Sequence, residues 1–284
     1  MLSENSYGFA KRLQFIKNVI EQLKPQWVLD FGCGTGNNIT VPLAEYFPNI
    51  KFVGVDSDVA SLEFARYKNN CSNLTFVNPK EIEAYQQFDL IIASEVIEHV
   101  EEPEELLLLL TEKLVDGGQI ILTLPNGYGP SEFMSLVASL LHLSGIYAIL
   151  RQIKRTLTGN STALNIKGVD TLAISPHINF FSYNDIKILI GKAGFKILAY
   201  RPRTWLCGFG FDQLLRGQPI LWWNAKIADY LPPYCNSGWM FLLEKGESLR
   251  PVDYHYKRGY YARLRKYLNK KRWGLVKSNE IVQK

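Results

Sequence analysis

The fold of this chain is decided by the ten residues Val28-Leu29-Asp30-Phe31-Gly32-Cys33-Gly34-Thr35-Gly36-Asn37. Apolar residues followed by an acid and alternating glycines predict a buried strand that ends in a tight turn. A second strand, Lys51 to Val55, begins roughly 15 residues after the last glycine and runs into Asp56. The order strand, glycine turn, helix, strand and acid is typical of a βαβ unit that binds a nucleoside-containing cofactor.

The residues that flank the glycines narrow the choice of cofactor. A dinucleotide-binding turn favours a small residue where this chain has Asn37, at the start of a helix predicted to run to Phe47. The carboxylate of Asp30 disfavours a pyrophosphate and favours a cofactor that carries an ammonium group. Asp56 suits a ribose, because a carboxylate accepts hydrogen bonds from both sugar hydroxyls.

The pattern D-x-G-x-G-x-G, followed by V-G-V-D at residues 53–56, resembles the class I S-adenosylmethionine (SAM)-dependent methyltransferases. Residues 88–94 and 114–127 resemble the fourth and fifth strands of that family, and the chain as a whole resembles ubiquinone-biosynthesis-type O-methyltransferases and related generic methyltransferase domains. The resemblance implies that SAM lies on the glycine turn. The residues it implies as cofactor-binding are Asp30, Phe31, Gly32, Cys33, Gly34, Gly36, Asp56, Ser57, Ser94 and Glu95.

Alternating strands and helices predict an α/β fold, a Rossmann-like, seven-stranded, mostly parallel sheet with helices on both faces. The last strand, residues 238–244, is expected to be antiparallel and to form an edge. Predicted strands are 27–30, 51–56, 74–77, 90–93, 119–124 and 196–200. Predicted helices are 9–23, 37–47, 58–68, 103–115 and 183–193.

Length and composition predict one methyltransferase domain, residues 1–249, followed by a basic aromatic tail, residues 250–284. The four cysteines are widely spaced and contain no C-x-x-C motif, which favours a reducing cytoplasm and offers no zinc site. The first 24 residues have an amphipathic pattern and not that of a secretory signal. A cytoplasmic protein, or one peripheral to the inner face of a membrane, is predicted.

Three segments extend the minimal domain. An insert at about 128–175 contains an apolar run, Phe133 to Leu150, followed by basic residues, a pattern that suits a helix lying on a membrane or a lid over the body of the enzyme. A tryptophan-rich segment, 201–236, is expected to help shape the acceptor pocket. The tail carries 11 Lys or Arg against 2 Asp or Glu. It can bind anionic lipid, a polyprenyl phosphate or RNA, or remain a solvated tail with a partly docked helix.

The run Ser94-Glu95-Val96-Ile97-Glu98-His99 follows the fourth strand, at the edge where α/β sheets bind ligands. If the chain is helical there, Glu95, Glu98 and His99 share one face and can hold Mg²⁺, Mn²⁺ or Zn²⁺. The E-x-x-E-H pattern resembles that of ubiquinone-biosynthesis O-methyltransferases and of small-RNA 2′-O-methyltransferases. The second group adds a later histidine, for which His177 is the candidate.

A metal-free arrangement is the alternative. Glu95 would then lie next to SAM, and either His99 or His177 would act as the general base for an acceptor hydroxyl. These three residues are the predicted catalytic set. The resemblance implies direct methyl transfer, so no protein nucleophile is required.

The predicted acceptor group is a hydroxyl, less readily an amine. The acceptor itself is expected to be a small molecule, and lipid-linked and glycan compounds belong to this class. RNA is a less favoured partner, and an RNA 2′-O-methyltransferase with a metal-assisted site is the second hypothesis. The third is a non-catalytic module with the same fold, which binds a partner or an anionic membrane surface through the insert and the tail.

Overall fold

A computed structural model describes residues 6–85, 87–147, 149, 152, 176–208, 211–215, 217–246, 255–273 and 275. Its seven strands are β1 (Trp27–Phe31), β2 (Lys51–Val55), β3 (Leu74–Val77), β4 (Phe88–Ser94), β5 (Leu114–Pro125), β6 (Phe195–Pro202) and β7 (Gly238–Lys245). They form one sheet in the order β3-β2-β1-β4-β5-β7-β6. Strands β1 to β5 pair in parallel, and β7 is antiparallel to both β5 and β6.

The helices of the described residues cover both faces of this sheet. They are α1 (Ser6–Leu23), α2 (Thr40–Tyr46), α3 (Val59–Lys68), α4 (Pro103–Glu112), α5 (Pro130–Leu143), α6 (Tyr183–Lys192), α7 (Phe211–Leu214), α8 (Gln218–Ile227) and α9 (Tyr260–Arg272). Strand residues alternate between two cores. One core contains apolar side chains of α1, α2 and α3, and the other contains those of α4 and α6. The predicted α/β fold class is confirmed.

The position of the antiparallel strand differs from the prediction. β7 lies between β5 and β6, so the edge strand at this end of the sheet is β6. The apolar run at the start of β7 is buried on both faces, with Trp239, Met240 and Phe241 at 0% exposure, and an interior position covers both faces of such a run. The edge strand instead exposes Lys196 and Arg201 to solvent.

Element boundaries also differ from the prediction, notably at the start of α2 and at the junction of α4 with β5. Helix α2 begins at Thr40 and not at Asn37, because an earlier start would put Pro42 inside the helix, where its ring clashes with the preceding turn. Helix α4 ends at Glu112, and β5 starts at Leu114 and not at residue 119. The register of β4 and β5 shifts between Phe88 and Leu90, where Leu114 still pairs with Phe88.

The three extensions contribute helices at the carboxyl end of the sheet and beside it. Helix α5 follows β5, helices α7 and α8 lie between β6 and β7, and α9 lies in the basic tail. Most of the insert after residue 152, including the basic residues that follow its apolar run, lies outside the described residues. Among the described helices, none combines the length and the apolar character needed to cross a membrane.

Candidate functional site

The glycine turn after β1 is tied to the neighbouring strand β2. The amides of Gly32 and Cys33 both donate to the carbonyl oxygen of Val55, at 2.8 and 3.0 Å. The φ angle is +78° at Gly32 and +72° at Gly36, in the left-handed region that is costly for residues with a Cβ. The turn therefore presents backbone, without side chains from its glycines, at the carboxyl end of β1.

Asp56, at the end of β2, supports this turn directly. Its Oδ2 accepts a hydrogen bond from the amide of Gly34 at 2.7 Å, and its Oδ1 accepts one from the amide of Asp58 at 2.8 Å. Ser57, between the two acids, is exposed. Each carboxylate oxygen has a second lone pair, so Asp56 keeps the capacity to accept from ribose hydroxyls.

Asp30 is almost fully buried, with 3% of its surface exposed. Its Oδ2 accepts a hydrogen bond from Oγ1 of Thr40, the first residue of α2, at 2.5 Å. Burial raises the pKa of Asp30 to about 6, against the hydrogen bond from Thr40, and the charge of Asp56 raises it further. A cationic ligand near this carboxyl would favour its ionised form.

Phe31 and Cys33 line the same turn without offering reactive groups. Phe31 packs against the core that contains α4 and α6. The Sγ atom of Cys33 lies 3.6 Å from the carbonyl oxygen of Gly34. Burial, and then the charges of Asp30 and Asp56, raises the pKa of the Cys33 thiol, which disfavours the nucleophilic thiolate.

The segment after β4 lies against the glycine turn. β1 pairs with β2 on one side and with β4 on the other, so the order of the strands reverses at β1. Open α/β sheets form their ligand crevice at such a reversal. A Cβ added to Gly32 would lie 2.4 Å from Cγ2 of Val96. The turn and the Ser94–His99 segment are therefore packed against each other at the carboxyl end of the sheet.

Glu95 turns away from the residues with which it was grouped by sequence. Its φ angle is +59°, and the segment forms a turn instead of a helix. Its Oε2 accepts from Nη1 of Arg203 at 2.6 Å, and its Oε1 accepts from Thr123 at 3.0 Å and lies 3.6 Å from Nη1 of Arg12. Burial opposes ionisation, but the charges of Arg203 and Arg12 hold the pKa of Glu95 below its usual value. Ser94 joins this network through a 2.9 Å hydrogen bond between its Oγ and that of Thr123.

Glu98, His99 and His177 come together as a compact cluster. The Nε2 atoms of both histidines lie 4.0 Å from Oε1 of Glu98, and the two imidazole rings are 4.8 Å apart. Backbone bonds fix the approach, because the amides of Ile178 and Asn179 both donate to the carbonyl oxygen of Glu98. The long sequence separation between Glu98 and His177 is thereby closed.

The carboxylate of Glu98 is the exceptional group of this cluster. The residue is 1% exposed, and neither side-chain oxygen has a hydrogen-bond partner among the described residues. Burial, and then the nearby charge of Glu95, raises the pKa of Glu98 to about 8. Buried carboxyl oxygens without partners are rare, since each costs the full desolvation free energy of the group.

The pKa of His177 is also raised, but for a different reason. Burial lowers its pKa, but the charge of Glu132 and its hydrogen bond overcome that effect and raise the pKa of His177 to about 9. The Nδ1 atom of His177 lies 2.7 Å from Oε1 of Glu132, whose Oε2 accepts from Nη2 of Arg265 in α9 at 2.7 Å. Arg265 is fully buried.

The cluster fits a divalent cation. One carboxylate oxygen and two imidazole nitrogens, all within 4.8 Å of one another, are the donor atoms that Zn²⁺ and related metals prefer. The unpartnered oxygens of Glu98 are the observation that favours such a ligand. Glu95 is not part of this set, because Arg203, Arg12 and Thr123 already occupy its carboxylate.

A family model described as a methyltransferase domain matches residues 2–200 of the chain. The chain belongs to this methyltransferase family. The recognition of the class I SAM-dependent methyltransferases from the glycine turn and the strands around it is therefore confirmed at the level of the family.

Individual relatives of the methyltransferase are distant. Malonyl-acyl-carrier-protein O-methyltransferase of Anoxybacillus flavithermus is 27% identical over 136 residues, covering 47% of this chain and 49% of that protein. Ubiquinone biosynthesis O-methyltransferase of Rickettsia bellii is 26% identical over 146 residues, covering 48% and 61%. The match therefore spans only part of these curated relatives. The solved structure of PKMT2 from Rickettsia typhi covers 85% of this chain and 52% of that one, with a TM-score of 0.51 and 15% identity, which shows the fold alone.

Helix α5 of the methyltransferase exposes large apolar side chains and buries polar ones. Phe133 and Leu140 are 59% and 48% exposed. The side chains it buries are polar or small: Glu132, Ser135, Ala138 and Ser139. Cationic residues of α9 meet this buried face, since Arg265 contacts Glu132 and Nη1 of Arg272 contacts Oγ of Ser139 at 3.1 Å. Side chains of the tail helix therefore supply polar contacts to the buried face of α5, and apolar side chains of α5 are exposed to solvent.

Arg12, Arg203, Glu132 and Arg265 are site residues that the sequence analysis missed. They lie in α1, in the chain after β6, in α5 and in α9, and no motif in the sequence distinguishes them from the charged residues nearby. Glu132 is the one of the four with a signal in the sequence. It is an acid in the first turn of a helix that is otherwise mostly apolar. The ion pairs of Arg203 with Glu95 and of Arg265 with Glu132 join segments more than 100 residues apart, which local patterns do not predict.

Proposed function

We propose that the protein transfers the methyl group of SAM to a hydroxyl of a lipid-linked acceptor, beside a divalent cation held by Glu98, His99 and His177. The observation that carries the proposal is the unpartnered carboxylate of Glu98 facing two imidazoles. This cluster follows β4 and lies beside the glycine turn, so a cofactor on the turn and an acceptor at the cluster are neighbours.

The chain's own residues divide the work between binding and alignment. The glycine turn accepts the cofactor, Asp56 is placed for the ribose, and Asp30 for the ammonium group. SAM carries an activated methyl group, so the protein has to align the acceptor oxygen, exclude water and allow its proton to leave. A bound divalent cation supplies Lewis acidity, which lowers the pKa of a hydroxyl.

The choice of general base follows from the electrostatics of the two histidines. With a pKa of about 9, His177 is protonated at neutral pH when no cation is bound, so it is a poor proton acceptor. A metal-free mechanism therefore assigns the base to His99, whose Nε2 faces the same space.

The exposed face of α5 supports a lipid-linked acceptor. Phe133, Leu140 and the following Ile146 and Ile149 are between 45% and 59% exposed. The helix begins five residues after β5, whose carboxyl end borders the site. An exposed apolar helix suits insertion at the boundary of a bilayer, and exposed Lys257, Arg263 and Lys271 of the tail favour anionic headgroups.

RNA 2′-O-methylation is the second candidate. It is favoured by the proposed cation site at Glu98, His99 and His177 and by the exposed basic residues of the tail. A relative over 36% of the chain is named as ribosomal RNA small subunit methyltransferase C of Buchnera aphidicola, at 38% identity over 105 residues and 31% of that protein. Against this candidate, the tail commits Arg258 and Arg265 to contacts within the protein.

The experiment is transfer from SAM labelled in its methyl group, with purified protein and a cell extract separated into lipid, glycan, RNA and protein. Label in the lipid fraction is expected, with transfer reduced by a chelator and restored by added metal. Label confined to RNA supports the second candidate and contradicts the first. Absence of label from every fraction, with SAM bound, would indicate a non-catalytic module.

A further inference from the structure

The tail helix α9 packs beside the candidate site. Arg265 of α9 is 0% exposed. Its Nη2 donates to Oε2 of Glu132 at 2.7 Å, while Nη1 donates to the hydroxyl of Tyr261 at 2.8 Å, and its guanidinium lies 4.6 Å from the centre of the Phe180 ring. Burial of an arginine is costly unless its charge is paired and its donors are used. The charge of Arg265 is paired with Glu132 and both terminal nitrogens donate hydrogen bonds, whereas Nε has no hydrogen-bond partner among the described residues.

Glu132 connects Arg265 to His177. Its Oε1 lies 2.7 Å from Nδ1 of His177 and its other oxygen faces Arg265, so one buried carboxylate bridges the tail helix and the imidazole. With Nδ1 held, the opposite atom Nε2 faces Glu98 and His99. A carboxylate on the outer nitrogen of a ligating histidine fixes the orientation of the ring.

The same tail segment also holds the backbone around His177. The side-chain amide of Asn269 donates to the carbonyl oxygen of His177 at 3.2 Å, and Nε of Arg258 donates to Oδ1 of Asn179 at 2.8 Å. The amide nitrogen of the Asn179 side chain in turn donates to the carbonyl oxygens of Ile97 and Val100, on either side of Glu98. Side chain and backbone of the histidine segment are thus both fixed from the tail.

We infer that Arg265 and Glu132 are positioning residues, which orient His177 toward Glu98 and His99, so that the C-terminal helix completes the cation site. The inference rests on the proposed function in one respect, since it takes that cluster as the place where a cation binds. The role of the tail is then internal to the site, apart from any contact of its exposed cations with a membrane.

The test compares Arg265→Met with Lys266→Met, its neighbour on the same helix. Lys266 pairs with the exposed carboxylate of Glu101 and does not touch His177. Calorimetric titration of Zn²⁺ into the full chain should show affinity weakened about 10- to 100-fold by Arg265→Met and by Glu132→Gln. Lys266→Met should leave the affinity within about twofold of wild type. Equal effects of the two α9 substitutions would overturn the inference.

A second measurement does not depend on metal binding. The rings of His99 and His177 are 4.8 Å apart, so a nuclear Overhauser effect between them is expected in the wild type, and its loss is expected in Glu132→Gln. Arg265→Lys, which keeps the charge, should retain it more fully than Arg265→Met. A wild type that shows this effect but binds no Zn²⁺ contradicts the proposed cation and not the positioning. Persistence of the effect in both Glu132→Gln and Arg265→Met contradicts the positioning.

Discussion

Oε1 of Glu98 lies 4.0 Å from Nε2 of His177, a residue 79 positions later in the chain that is brought there by backbone bonds to the carbonyl of Glu98 itself. The carboxylate is buried and has no hydrogen-bond partner within the described part of the chain. A folded protein retains such a group at a cost of about 1–3 kcal/mol or more. The arrangement is explained by a ligand that supplies the missing contacts.

Glu98→Gln tests this explanation, because the amide keeps the shape and removes the charge that a cation requires. Metal affinity and methyl transfer should fall by at least about 100-fold, whereas the melting temperature of the metal-free protein should not decrease. Glu83→Gln, on an exposed acid paired with Lys113, is the control. Full transfer by Glu98→Gln in the presence of a chelator would contradict a role for the cation.

SAM affinity is expected to depend on pH through Asp30. Its carboxyl has a pKa of about 6 in the folded protein, so the ionised form that attracts an ammonium group is lost as pH falls through about 6. Calorimetry should show SAM binding weakening below that pH in the wild type. Asp30→Asn should bind SAM more weakly, with no such step. An identical pH profile for both proteins would contradict this role of Asp30.

The same shift predicts a stability effect of opposite sign. A pKa raised from 3.8 to about 6 means that Asp30 stabilises the fold below about pH 4, and that this contribution is lost as pH rises through about 6. The difference corresponds to about 3 kcal/mol at most. Because Asn keeps an acceptor for Thr40, Asp30→Asn should raise the free energy of unfolding of the cofactor-free protein at neutral pH, measured in urea. A lower value than wild type would contradict the shift.

The glycines of the turn should differ in their tolerance of alanine. At Gly36 an added Cβ would lie 2.5 Å from Cζ of the buried Phe76 ring, whereas at Gly34 it would meet nothing within 4 Å. Both positions have positive φ, which costs about 1–2 kcal/mol. Gly36→Ala adds overpacking of about 1–3 kcal/mol. Urea denaturation should therefore rank Gly36→Ala as less stable than Gly34→Ala, and the reverse order would contradict the packing described here.

The outer face of α5 should bind lipid if the acceptor is membrane-borne. Phe133→Ser combined with Leu140→Ser should weaken sedimentation with vesicles of phosphatidylcholine and phosphatidylglycerol, since each buried apolar side chain contributes about 1.5–3 kcal/mol. Tyr67→Ser on α3, where Tyr67 is 81% exposed, is the matched control. Equal binding by the α5 variant and the control would contradict membrane contact through this helix.

The sequence predicted those parts of the protein that rest on local patterns. The turn at Gly32 to Gly36 and the parallel strands follow from apolar runs and glycine spacing, which act over a few residues. The prediction that β7 forms an edge of the sheet was wrong, because strand order depends on pairing between distant segments. That its Trp239 to Phe241 run is buried on both faces was visible as a continuous apolar pattern.

The site shows the same division. Glu98, His99 and His177 were grouped through a motif, and the structure brings them within 4.8 Å. Glu95 was grouped with them on an assumed helix, but its left-handed backbone and its two arginines place it elsewhere. Arg203 belongs to no motif, and nothing in the basic tail distinguishes Arg265 from its other cations, because both roles arise only when segments far apart in sequence pack together.

The most direct test of the central claim is calorimetric titration of the purified full chain with SAM and, separately, with NAD. We expect SAM to bind and NAD not to bind, because Asp30 and Asn37 flank a turn unsuited to a pyrophosphate. Asp56→Ala should abolish SAM binding, since Asp56 accepts a hydrogen bond from the Gly34 amide and is the carboxylate proposed to bind the ribose hydroxyls. Binding of NAD without binding of SAM would contradict the account.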